Sequence, residues 1–122
     1  MTFIDSLEKH TEESQSIVCM GMDPVLERIP IEKETIRETI TTFYLDILKE
    51  IKARGTRPAM VKPNIAFYEQ YGPQGLNALK DLIEAYQEAG IPVLLDSKRG
   101  DIGKTSRAYG KALFEQWNAD AT

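Results

Sequence analysis

Charged side chains of both signs follow directly on an apolar run at the start of the last quarter of the chain. Asp96, Lys98 and Asp101 stand within six residues, immediately after the run Ile91–Leu95. In extended backbone, residues two apart point to the same side, so the Asp96 carboxylate can hold the Lys98 amine charged. A charged amine between two carboxylates can deliver a proton to a reacting carbon, and the carboxylates disfavour a further anion beside them. The pattern therefore predicts a site for acid chemistry.

A solvated surface loop is the alternative interpretation of these charges, because surface charges often pair without functional consequence. Gly100 and Gly103 permit tight backbone, and Thr105 lies where a helix is predicted to begin. These flanks favour a shaped loop over a slack one.

Three short apolar runs are predicted as buried parallel strands, at Ile17–Met20, Ala59–Val61 and Ile91–Leu95. Asp23 lies at the exit of the first strand, Lys62 at the exit of the second, and Asp96 with Lys98 at the exit of the third. The carboxyl ends of parallel strands are where α/β proteins place ligand chemistry. We therefore expect these four ionisable groups to share one rim.

Helical spacing of apolar residues alternates with these strands. It predicts a short opening helix through Phe3 and Leu7, a long helix over 36–51, a short helix over 65–70, a helix opening at Gly72-Pro73, and a helix over about 105–117 with a stripe of Tyr109, Leu113 and Phe114. Residues 119–122 are predicted as the approach to a fourth strand. Strand–helix alternation indicates a parallel α/β protein, with the sheet either open or closed.

The composition is that of an ordinary globular protein, with 15 basic and 19 acidic residues and 42% apolar residues. No concentrated basic patch is present, which argues against nucleic-acid binding. Cys19 is the single cysteine, predicted to be a core residue rather than a nucleophile, and a reducing cytoplasm is the expected location. No apolar run approaches a membrane span or a signal peptide, so we expect no membrane contact. His10, the single histidine, is expected in a solvated helical segment without a chemical role.

Three motifs resemble one known family. Val93–Ser106, which reads Val-Leu-Leu-Asp-Ser-Lys-Arg-Gly-Asp-Ile-Gly-Lys-Thr-Ser, is similar to the signature of the orotidine 5'-phosphate decarboxylases. Gly21–Pro24 resembles the first-strand element of that family, and Val61–Gly72 resembles its second-strand lysine segment. Their order and spacing resemble the longer bacterial-type branch.

The resemblance implies a TIM-type (β/α)8 barrel. Such a barrel typically needs about 250 residues, and this chain supplies three βα units and the approach to strand 4. Residues 1–122 are therefore expected to form a single incomplete domain, the N-terminal half of the barrel. Half a barrel has open sheet edges and an uncovered apolar interior that another chain or a second copy would have to cover.

The family's activity is conversion of orotidine 5'-phosphate to UMP and CO2 in pyrimidine biosynthesis. The resemblance implies that Lys62, Asp96, Lys98 and Asp101 form a catalytic network with Lys98 as the proton donor. Asp96 would sit against the substrate carboxylate, Lys62 would hold Asp96 ionised and meet the ribose, and Asp23 would accept a ribose hydroxyl. Taken singly, Lys62 is as consistent with an exposed loop lysine, and Asp23 with a turn residue.

The resemblance also implies that each subunit contributes residues to the substrate site of its neighbour. Asp101, Ile102 and Thr105 would reach the neighbouring subunit's site, so a homodimer would share its active sites, with no cofactor and no metal. Ile102 is equally interpretable as a packing residue, and Thr105 as the N-cap of the next helix.

Two further hypotheses stay open. A sister group of phosphosugar decarboxylases and aldolases shares the Asp-x-Lys-x-x-Asp element but binds Mg2+. Lys62 would repel a divalent cation there, which favours the metal-free decarboxylase. A non-catalytic half-barrel that assembles with a partner is the other hypothesis. Because the later strands and their phosphate contacts are absent, the chain alone is expected to be nearly inactive.

Overall fold

Residues 2–122 are described by a computed structural model, in which helices and strands alternate along the chain. The elements are α1 Phe3–Ser14, β1 Cys19–Met22, a 3-10 helix Leu26–Arg28, α2 Ile36–Ala53, β2 Met60–Pro63, α3 Ala66–Glu69, α4 Gly72–Glu88, α5 Gly103–Lys111 and a π-helical turn Ala112–Gln116. The predicted helices over 36–51 and 65–70 and from Gly72 onward are confirmed. Among the described residues, no helix is both long and apolar enough to cross a membrane.

The strands form an open parallel sheet in the order of the sequence. β1 pairs with β2, with Gly21 opposite Lys62. Residues 91–96 continue the sheet through bridges that include Asn64 to Asp96, and the bridge from Leu94 to Ala121 marks the fourth strand position. The sheet is parallel and is not a closed barrel, as predicted for three βα units and the approach to a fourth strand.

Helices α2 and α4 cover one face of the sheet. A capping box of Thr35 and Glu38 starts α2, which satisfies backbone N–H groups that the first helical turn leaves free. The two helices bury apolar stripes against the backs of the strands, in a core that includes Ile40, Tyr44, Leu48, Leu79, Leu82, Ile83 and Tyr86 from the helices and Met22, Val61, Val93 and Leu95 from the strands.

Gly75 allows α3 and α4 to approach each other closely. A Cβ atom at this position would lie 2.0 Å from the backbone oxygen of Tyr68. The Tyr68 hydroxyl in turn donates a hydrogen bond of 2.9 Å to the backbone oxygen of Met22. The small residue therefore lets α3 lie against β1, beside the strand exits.

The first strand differs from its prediction. β1 begins at Cys19 rather than Ile17, and Ile17 and Val18 are 90% and 57% exposed. Cys19 is also exposed, so its prediction as a core residue is wrong. Met60, its partner on the same sheet face, is buried, so the exposure of Cys19 follows from its position at the start of β1, the edge strand among the described residues.

The last helix also differs from its prediction. No residue of α5 is buried, and Tyr109 and Phe114 are exposed, so only Leu113 of the predicted stripe is buried. The reason is that α5 packs substantially only against the π-helical turn that follows it, so most of the predicted stripe is left uncovered among the described residues. Thr105 is not the N-cap, because α5 begins at Gly103 and Ile102 occupies the cap position.

His10 is less solvated than predicted. Its Nδ1 atom is buried and has no hydrogen-bond partner among residues 2–122. The nearest carboxylate oxygen in an ion-pair arrangement is Oε2 of Glu13, at 4.0 Å.

Candidate active site

The exits of β1 and β2 are fixed to each other by a side chain. Asp23 follows β1 directly, and its Oδ1 accepts a hydrogen bond of 3.1 Å from the backbone N–H of Asn64, one residue beyond β2. Lys62 lies within β2, on the same sheet face as Gly21. Strand pairing and this bond therefore bring the first two predicted site residues to one rim.

Asp96 is the centre of the charged cluster. Lys98 Nζ donates a hydrogen bond of 2.5 Å to Asp96 Oδ2, and Lys62 Nζ lies 3.7 Å from the same oxygen. The predicted contact between Asp96 and Lys98 is present, but Lys98 reaches Asp96 from a left-handed backbone rather than from the extended backbone that was predicted. The bridge of Asp96 to Asn64 sets this geometry, because it places the third strand beside β2.

The two amines keep Asp96 ionised. The hydrogen bond from Lys98 lowers the pKa of Asp96 below its ordinary value, partial burial opposes that shift, and the charges of Lys98 and Lys62 add to the lowering. The Asp96 side chain is 22% exposed and that of Lys98 is 67% exposed. The cluster is therefore an open, charged surface with an amine that solvent or a ligand can reach.

Asp101 stands apart from this cluster. Its Oδ1 accepts a hydrogen bond of 2.8 Å from the backbone N–H of Ile102. Within residues 2–122 it makes no ion pair with Lys62 or Lys98. Ile102 is 85% exposed, and Thr105 is exposed in the first turn of α5. The described chain thus brings together Asp23, Lys62, Asp96 and Lys98, and leaves the other three predicted residues facing solvent.

The cavities found elsewhere in the fold do not coincide with the charged rim. One, of about 540 Å3, lies between the 3-10 helix and the start of α2 and is lined by residues such as Leu26, Pro30 and Thr39. Within residues 2–122 no group of three or more His, Cys, Asp and Glu side chains has the spacing of a metal site.

Comparison with known proteins shows to which family the chain belongs. The model of the family described as Orotidine 5'-phosphate decarboxylase / HUMPS matches residues 16–122. This chain belongs to that family. The match includes all seven predicted site residues, from Asp23 to Thr105.

Relatives of known name agree with this family. The chain is 41% identical to an orotidine 5'-phosphate decarboxylase of Thermomicrobium roseum, over 99% of this chain and 42% of the relative. It is 38% identical to one from Roseiflexus sp., over 99% of this chain and 43% of the relative. The chain therefore spans about two fifths of the length of these relatives.

The fold agrees as well. The structure of Leishmania donovani OMP decarboxylase superposes with a TM-score of 0.77 at 33% identity, covering 98% of this chain and 42% of that chain. Its fold is a TIM barrel, and this chain matches an open portion of about 40% of it. The predicted fold class is confirmed.

Four residues around the charged cluster were given no role by sequence reasoning. Asn64 bonds Asp23, and Ser97 is buried beside Lys98. Arg99 Nη2 donates a hydrogen bond of 2.5 Å to Oε1 of Glu69. Asn64 was detectable as a polar residue at a strand exit. The Arg99–Glu69 pair was not, because its members are 30 residues apart in the chain.

Proposed function

We propose that the protein carrying this chain decarboxylates orotidine 5'-phosphate to UMP and CO2, in pyrimidine biosynthesis. The observation that carries the proposal is the Asp96 carboxylate held between Lys98 and Lys62 at the strand exits. The names of the related proteins support the same activity.

The chemistry needs a proton donor beside a site that disfavours an anion. When the bond between C6 and the carboxyl carbon breaks, the electron pair stays on C6 and CO2 leaves. Lys98 then donates a proton to C6, forming the C–H bond of UMP and leaving a neutral amine that solvent reprotonates. Asp96, beside the substrate carboxylate, raises the energy of the bound substrate and loses that repulsion as CO2 departs.

Lys62 and Asp23 would bind rather than react. Lys62 lies close enough to Asp96 to support its ionised form, and its side chain is 37% exposed. One carboxylate oxygen of Asp23 accepts the hydrogen bond from Asn64, and the other is free to accept one from a ribose hydroxyl.

The remaining predicted residues suit a site shared between two subunits. Asp101, Ile102 and Thr105 are exposed, and α5 buries none of its residues. In a homodimer, these side chains would complete the active site of the neighbouring subunit. The cytoplasm remains the location that we expect, because a single cysteine cannot form a disulfide within the chain.

The 122-residue chain alone is proposed to be nearly inactive. Its charged rim is open to water on one side, and binding energy from remote parts of a substrate drives closure and catalysis in such sites. Measurable turnover by the purified chain would overturn this part of the proposal.

Release of labelled CO2 from carboxyl-labelled orotidine 5'-phosphate tests the activity. The assay compares the chain alone with the chain fused to the part of the Thermomicrobium roseum relative that it does not match. We expect turnover from the fusion, and a loss of about 10²- to 10⁴-fold on Lys98→Ala, the range for removing a positioned proton donor.

Lys104→Ala is the matched control, because it removes an exposed amine of the same segment that contacts no group of the cluster. It should retain the parent rate. A folded fusion with no turnover, or K98A at the parent rate, would contradict the proposal. Turnover of a phosphosugar that depends on added Mg2+ would instead favour the sister group.

A further inference from the structure

The backbone at Lys98 has an unusual conformation. Its φ is +48°, in the left-handed region that residues other than glycine rarely adopt. Such a conformation persists only where the surrounding structure holds it in place. The residues on either side of Lys98 should therefore be anchored.

Anchors are present on both sides. Before Lys98, the buried Ser97 shares a hydrogen bond of 3.0 Å between its Oγ and Oγ1 of Thr122, and Thr122 Oγ1 lies 2.9 Å from the backbone oxygen of Leu95. After Lys98, Arg99 Nη1 donates to the backbone oxygen of Ser97 at 3.0 Å, and Arg99 Nη2 donates to Glu69, the last residue of α3.

We propose that Glu69 and Arg99 are positioning residues that hold the Lys98 amine against Asp96. Arg99 spans Lys98, since one of its nitrogens binds the carbonyl before Lys98 and the other binds the carboxylate of α3. We call Glu69 and Arg99 the clamp. It holds the turn at Lys98 in the conformation that directs the Lys98 amine toward Asp96. The role of the clamp in catalysis rests on the proposed function. Its effect on the position of Lys98 can be tested without turnover.

A purely stabilising role explains the pair less well. The side chains of Arg99 and Glu69 are 32% and 41% exposed, and exposed ion pairs contribute little to stability. Arg37 and Asp81 form a comparable pair between α2 and α4, at 2.7 and 2.8 Å, and neither of them bonds to the charged cluster in the described residues. The Arg99 pair differs in one respect: Arg99 also binds the carbonyl that precedes Lys98, the residue with the left-handed backbone.

Glu69→Gln distinguishes the clamp from a purely electrostatic effect, because the two change the pKa of Asp96 in opposite directions. Removing a negative charge from the neighbourhood lowers the pKa of a carboxyl if charge alone matters. Releasing Lys98 removes the hydrogen bond that lowers the pKa of Asp96. In the 122-residue chain, we expect NMR titration of the Asp96 side-chain carboxyl to show a raised pKa in E69Q.

Two variants complete the test. Arg99→Lys keeps every charge but cannot bind Ser97 O and Glu69 with a planar fork, so it should also raise the pKa of Asp96. Asp81→Asn removes the matched pair with Arg37 and should leave the Asp96 titration unchanged. An Asp96 pKa that falls in E69Q, or that stays the same in R99K, would overturn the clamp.

Turnover provides a separate readout. In the fusion described above, E69Q should lower kcat by about 10- to 100-fold with little change in KM, because a misplaced catalytic group costs this much when binding is intact. If the fusion has no activity while the Asp96 pKa still rises in E69Q, the proposed function fails and the clamp stands.

Discussion

The two faces of the sheet differ, although the same strands form both: one face packs against helices and the other carries the charged residues. On the face covered by α2 and α4, Val93 and Leu95 are fully buried in a continuous apolar core. On the other face, Lys62, Asp96 and Cys19 are partly or largely exposed. Strand alternation separates the two environments by a single residue step. Stability is therefore concentrated on one face and reactive groups on the other.

Adjacent leucines give the strongest test of this difference. Leu95 is buried on the helix-covered face, whereas its neighbour Leu94 is half-buried on the other. Leu95→Ala should lower the free energy of unfolding by about 2–5 kcal/mol, through lost burial and the cavity left behind. Leu94→Ala should cost about 1 kcal/mol. Urea denaturation of both variants measures this, and equal losses would show that the two faces are packed alike.

Two glycines test the same contrast between the helices. Gly75→Ala would push a methyl group into the backbone of Tyr68, and overpacking of this kind costs about 1–3 kcal/mol. Gly110→Ala in α5 meets nothing within 4 Å and should stabilise the chain by about 0.5–1 kcal/mol through helix propensity. Thermal denaturation should shift in opposite directions for the two variants, and a common direction would contradict the packing described here.

Alkaline pH should weaken the covered face. Burial raises the pKa of Tyr86 from 10.0 to about 12, and its hydroxyl donates a 2.8 Å hydrogen bond to the backbone oxygen of Tyr44. Because the folded state favours the neutral phenol, its contribution is complete below pH 10 and is lost as the pH rises toward 12. Tyr86→Phe should cost about 1 kcal/mol at pH 7 and weaken the alkaline loss. If the loss of stability at alkaline pH is unchanged in Y86F, groups other than Tyr86 cause it.

Acid pH should affect the charged face, with the smallest change in stability. The pKa of Asp96 is below its ordinary value of 3.8, so its ion pairs stabilise the fold above that pH and are lost as the pH falls through the lowered pKa. Asp96→Asn should cost about 0.2–1 kcal/mol at pH 7, the range for exposed pairs.

Asp101→Asn is the control for this change, since Asp101 makes no ion pair among residues 2–122. Denaturation at pH 7 and at pH 3 should show a loss at pH 7 for D96N that shrinks at pH 3. A larger loss at pH 3 than at pH 7 would contradict the direction of the Asp96 shift.

Much of the fold follows from local pattern. Helix α2 lies where apolar spacing predicted it, and the third strand lies where Ile91–Leu95 predicted it, because both signals come from residues close in sequence. The contact of Asp96 with Lys98 was also predicted within one short segment, although the extended backbone assumed for it is not the backbone that Lys98 adopts. The exposure of Cys19 could not be predicted, because burial depends on what packs against a strand as well as on its apolar sequence.

By itself the sequence determined the alternation of strands and helices, the family, and the charged residues at the strand exits. These depend on residue type, short spacing and order along the chain. Tertiary structure alone decided that Lys98 adopts a left-handed backbone and that Arg99 reaches Glu69, 30 residues away. It also decided that Asp101 stands apart from Asp96. Such contacts join residues distant in sequence, and their distances are set by how α3 and the strands pack together.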